Sequence, residues 1–195
     1  MSRGGNRTEA EELALLREIR AFARDLQRAV ARTASPGADV RRRVSDASAR
    51  DLLEANLAWV KQFLVAEAQV RPKPPEQTGR EAYALWLFAS YMAAHQGLSV
   101  LDTDFDALFE FFFWWYPRQC AEASPTLTET LFGSLEEFFA FLAEEQALAS
   151  TRAVDEFWAY RADALRLLAL YEQLDPDSPY FAEQFEALFG LDLPE

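Results

Sequence analysis

One cysteine, Cys120, and one histidine, His95, are all the sequence holds of those two metal-ligating residue types. Structural zinc needs four ligands, usually several Cys or His, so a site of that kind is excluded. A single cysteine also excludes an internal disulfide. Glycine is scarce, at seven residues. The sequence has no P-loop, no G-x-G-x-x-G and no G-x-S-x-G, so the common phosphate cradles and the nucleophile elbow are missing. The apolar run that ends ahead of His95, 82–94, has thirteen residues, short of the ~20 that span a bilayer. The first residues, MSRGGNRTEAEE, contain no apolar segment of the kind a signal peptide needs. The expectation is a soluble, cytoplasmic protein without a membrane partner.

Apolar bulk is plentiful. Half of the 195 residues are hydrophobic and 14% are aromatic, enough to bury roughly 70% of the unfolded surface. The net charge of −13 is unevenly spread. Residues 1–50 hold eleven Arg against seven acids, a balance of +4; residues 81–195 hold four Arg against twenty-one acids, a balance of −17. Repulsion from the second half makes direct nucleic-acid binding an unfavoured function.

The chain is organised around the stretch 105–117, FDALFEFFFWWYP. A helix capped by Asp102 or Thr103 and stopped at Pro117 puts Phe105, Leu108, Phe109, Phe112 and Tyr116 on one face. Five consecutive aromatics show no alternation, which disfavours a half-buried strand and leaves a doubly buried strand as the alternative. Trp114 projects on the polar side of that helix. A neighbouring helix covers it, or it is an anchor for a partner, a role in which Trp is favoured.

Capping signals place the other helices. Thr8 and Glu11 form a capping box ahead of a helix to about Arg32. In it Leu15, Ile19, Phe22, Leu26 and Ala29 follow a heptad seam. Arg17, Arg20, Arg24 and Arg28 lie opposite, as a solvated face, a phosphate-tracking ridge or a docking face. After a break at 35–37 and an arginine run at 41–43, Ser48 and Asp51 open a second helix. Its seam is Leu52, Asn56, Trp59, Phe63, Ala66 and Val70, where polar Asn56 fixes register. These two helices suggest an antiparallel hairpin. The proline-rich stretch 71–79 reads as a spacer. Thr78 and Glu81 then cap an apolar, central helix to about Gln96, with Gly97 as C-cap. Ser124-Pro125 starts a helix ending at Gly133, and Ser134 with Glu137 starts another. One helix is expected over 151–174, and Ser178-Pro179 caps a last helix closed by Gly190.

The chemistry-bearing residues are few. His95 at a helix end suits capping and Cys120 a structural thiol; a Cys–His dyad would need them in contact. Asp102, Asp104 and Asp106 have calcium-loop spacing, but Ala107 and Phe113 stand where Gly and Glu are needed, so helix capping explains them better. Glu136, Glu137, Glu144 and Glu145 lack the Glu-x-x-His partners of a carboxylate metal bundle.

The runs LFEFFFWWYPRQC, LEEFFAFLAEEQAL and AVDEFWAYRADAL resemble a helical module of bacterial proteins of unknown function, some of which carry a SEC-C metal-binding tail. The resemblance covers about 104–174. The Cys/His cluster of that tail is missing here, so no metal role and no activity carry over.

The expected fold is all-α: a helical bundle with an N-terminal antiparallel helical hairpin. The expected segments are a disordered start (1–7), the hairpin (8–70), a Pro-rich linker (71–79) and an aromatic-rich acidic bundle (80–195). The expected function is a non-catalytic interaction or scaffold protein with a protein partner, itself as a homodimer included, and no cofactor. The alternatives are an acidic regulator occupying a partner's basic nucleic-acid-binding surface, and small-molecule binding or catalysis in an aromatic pocket. The candidate interaction residues are Trp114, Arg17, Arg20, Arg24 and Arg28.

Overall fold

A computed structural model describes residues 7–33, 48–148 and 150–190. Of the expected disordered start, 1–7, residues 1–6 lie outside the described residues, as do the break at 35–37 and the arginine run at 41–43, while Arg7 donates to the Gln173 carbonyl at 2.5 Å. Among the described residues the protein is an all-α helical bundle with no strand. The helices are α1 (Glu9–Thr33), α2 (Ala49–Val70), α3 (Pro75–Tyr91), α4 (Phe105–Glu110), α5 (Tyr116–Gln119), α6 (Pro125–Glu144), α7 (Arg152–Trp158), α8 (Arg161–Tyr171) and α9 (Phe181–Phe189). A π-helical turn, Met92–Gln96, prolongs α3, and a second, Phe111–Trp115, joins α4 to α5. No described helix is long and apolar enough to cross a membrane.

The chain forms two compact units, which divide it differently from the expected segments. One holds α1, most of α8 and α9; the other holds α2 to α7. The two helices of the expected hairpin are both formed. Each takes its main packing partner within its own unit, α9 for α1 and α3 for α2.

In the first unit, the Thr8 amide donates to the Glu11 carboxylate at 2.7 Å and the Glu11 amide donates back to the Thr8 hydroxyl at 3.4 Å. The capping box is therefore formed, and the hydrogen bonds from Thr8 hold the Glu11 carboxyl below its ordinary pKa. Leu15, Leu16, Ile19, Phe22, Leu26 and Val30 make the buried face of α1. Gln184 of α9 is fully buried; its side-chain amide donates to the Glu12 carboxylate at 2.7 Å and to the Glu12 carbonyl at 3.2 Å.

The second unit is an aromatic core. Phe112 stacks on Phe132 at 4.2 Å, and Phe157 packs on Phe112, Phe132 and Phe105 at 5.3, 5.9 and 5.9 Å. Such offset and edge-to-face pairs add stabilisation beyond the area they bury. Lys73, in the turn between α2 and α3, holds Glu137 at 2.9 Å, Glu81 at 3.0 Å and Glu67 at 3.6 Å. It thereby ties that turn to α2, α3 and α6.

Several local expectations fail, among them the cap of the last helix, which starts at Phe181 behind Tyr180 rather than at Ser178-Pro179. Helix α3 begins at Pro75, not after Thr78, because proline at the first helical position needs no donor and has a suitable φ. Asp104, rather than Asp102 or Thr103, caps α4 by accepting from the Ala107 amide at 2.7 Å. Helix α6 runs unbroken through Gly133 and Ser134, and the latter is buried. The expected helix over 151–174 is broken between α7 and α8, where Tyr160 is buried against Phe105 and Phe157.

Two glycines therefore lie inside helices, where a Cβ would meet nothing within 4 Å. Replacing Gly79 or Gly133 with alanine removes unfolded-chain freedom without a clash. Each change should raise stability by about 0.5–1 kcal/mol, read as a higher urea midpoint at unchanged slope.

Candidate interaction surface

Helix α3 with its π turn runs antiparallel to the α4–π turn–α5 segment. Near one end Tyr83 interacts with Cys120 and Glu122; at the other His95 meets Glu110 at 2.9 Å. Between them Phe88 and Tyr91 pack on Phe111 at 5.2 and 5.1 Å, and Tyr91 on Trp115 at 5.3 Å. In the π turns the Gly97 amide bonds to the Met92 carbonyl and the Tyr116 amide to the Phe111 carbonyl, each five residues back. A turn widened in this way is rare and is frequent at functional sites. It explains the run of aromatics. Phe111, Phe112 and Phe113 are all buried, while Trp114 and Trp115 stay half-buried. Nor does Pro117 end the helix, which continues to Gln119.

Gly97 closes the first π turn at φ +65°, the left-handed region that favours glycine. Asn56 of α2 is buried beside this point. Its amide nitrogen donates to the carbonyls of Ala89 and Leu98 at 3.2 and 3.4 Å, and its oxygen accepts from the Val100 amide at 2.9 Å. The register role expected for Asn56 takes a definite form: it binds backbone groups where the regular ladder is interrupted.

A polar network lies over the paired π turns. One Glu110 oxygen lies 2.9 Å from His95 Nε2, and the other accepts from Gln96 Nε2 at 2.8 Å. The Gln96 nitrogen also reaches the Tyr91 hydroxyl at 2.5 Å. His95 is thus not engaged with a helix-end carbonyl, as capping would require. It pairs with Glu110 and stacks between Tyr91 at 5.4 Å and Trp114 at 6.2 Å. Some twelve residues of helix, about 18 Å of rise, separate it from Tyr83 beside Cys120, so the two do not form a dyad.

Trp114, the expected anchor, is half-buried, with the Arg118 guanidinium 4.2 Å from its ring centroid. The sequence reading missed Trp86. The run 82–94 reads as buried nearly all round, yet Trp86 is 45% exposed. Its ring stacks on Tyr83 at 5.9 Å and 18°. The signal was present in the sequence. Ala82, Ser90 and Ala94 share the i±4 row of Trp86 and are too small to shield a large ring. Burial first, then Cys120 and Glu122, push the Tyr83 phenol up to about 12.

The arginine stripe belongs to the other unit. Arg20 pairs with Glu183 of α9, the Arg24 Nε donates to the Arg20 carbonyl at 3.2 Å, and Arg28 lies 3.5 Å from Asp25. Arg17 is exposed. Among the described residues no group of three or more His, Cys, Asp or Glu is placed to hold a metal ion. Comparison with family models, curated proteins and solved structures found no match.

Proposed function

We propose that the chain is a non-catalytic interaction or scaffold protein, with Trp86 at the centre of its contact surface. The observation that carries this reading is the 45% exposure of a tryptophan in a unit whose phenylalanines are all buried or half-buried. Tryptophan and arginine are the residue types that most often dominate binding energy, and the Trp114–Arg118 pair is the occupied counterpart on the same unit. A photoreactive residue at position 86, expressed in the native host, should give a discrete adduct with a protein or with a second copy. The same residue at Ala140, exposed on α6, should not. Equal labelling at both positions would refute the reading.

A second reading is an acidic regulator on a basic nucleic-acid-binding surface. The exposed carboxylates of Glu122, Glu136, Glu144 and Asp155 favour it.

A further inference from the structure

Trp86 is held by one stacking partner and left open to solvent. Tyr83 covers it at 5.9 Å with nearly parallel rings, and 45% of the residue remains exposed. The Tyr83 phenol interacts with Cys120 and Glu122. The exposed Glu122 carboxylate therefore lies near the Tyr83 side of the stack. An exposed indole whose stacking partner interacts with a carboxylate is an arrangement that attracts cations: the ring quadrupole and the negative charge act in the same sense.

The molecule fills comparable rings with its own arginines. Arg118 lies over Trp114 at 4.2 Å, Arg166 over Phe22 at 5.5 Å and Arg161 over Phe132 at 5.8 Å. The net charge of −13 draws a cationic partner towards the surface from a distance.

We propose that the Tyr83–Trp86 stack, with Glu122 beside it, receives an arginine or lysine side chain from a basic segment of a partner protein. This rests on the interaction reading above and adds the chemistry of the partner.

The probe is a capped hexa-arginine peptide titrated into the full chain at low salt, followed by the indole N–H signals of the five tryptophans. The Trp86 signal should move first and furthest. Trp86→Ala should weaken the peptide's binding about five-fold, and Glu122→Gln by a smaller factor that vanishes at high salt. Both sites are exposed, and unchanged melting curves would show that the variants fold. Equal binding by wild type and Trp86→Ala would overturn the proposal, since the peptide would then be sampling the acidic surface at large. Absence of binding would overturn it too. If the adduct at position 86 persists while hexa-arginine leaves the Trp86 signal unmoved, the cationic partner fails and the interaction reading stands. If hexa-arginine binds at Trp86 but no adduct forms, the reading of a protein contact is the one that falls.

Discussion

Asn56→Leu should destabilise the protein by about 3–5 kcal/mol. Leucine has a similar shape, so the change removes hydrogen bonds with little loss of volume. The Val100 amide at 2.9 Å loses its partner, and the Ala89 carbonyl at 3.2 Å keeps only the Met92 amide, in a site where Asn56 is fully buried. The Leu98 carbonyl at 3.4 Å contributes least. An unsatisfied buried donor or acceptor costs roughly 1–3 kcal/mol each. Asn56→Asp should be no milder, since a carboxylate offers the two carbonyls no donor. The measurement is urea unfolding, where the midpoint should fall at unchanged slope. A loss below about 1 kcal/mol would mean that the π turn and Gly97 hold this backbone without help.

Phe157→Ala should have an effect of similar size, about 3–5 kcal/mol, by a different route. Phe157 is fully buried and lies against Phe105, Phe112, Phe113, Phe132, Trp158 and Tyr160, all within 6.4 Å between ring centroids. These neighbours come from α4, the second π turn, α6 and the α7–α8 junction, so no single element can collapse into the space. Phe157→Leu keeps most of the volume and should cost less than half as much. If the two variants are equally destabilised, ring geometry rather than filled volume is what that position supplies.

Three of the caps were legible because they are local. Thr8 with Glu11, Ser48 with Asp51 and Ser124 with Pro125 each act within three residues, and all three form. Asn56 stood out as a polar residue on an apolar seam, but its partners lie 33 to 44 residues away and could not be named. The π turns were hidden for a different reason. Reading the 105–117 helix at 100° per residue assumes an uninterrupted ladder, and one widened turn shifts every later side chain. Phe111–Trp115 carried that warning, since five consecutive aromatics cover more arc than one helix face. Trp86 was missed because hydrophobicity was read as burial, although the small residues in its row argued otherwise. Pairings such as Lys73 with Glu137 and Glu12 with Gln184 depend on tertiary placement and leave no local trace.

The claim that Trp86 serves contact rather than packing is open to one decisive comparison, made on Trp86→Ala in the full chain. Its unfolding free energy and its yield of partner adduct, from a photoreactive residue at neighbouring position 82, are measured side by side. The account predicts a stability within about 0.5 kcal/mol of wild type, as for a surface substitution, together with loss of the adduct. A drop of several kcal/mol, or an undiminished adduct in a fully folded variant, would contradict it.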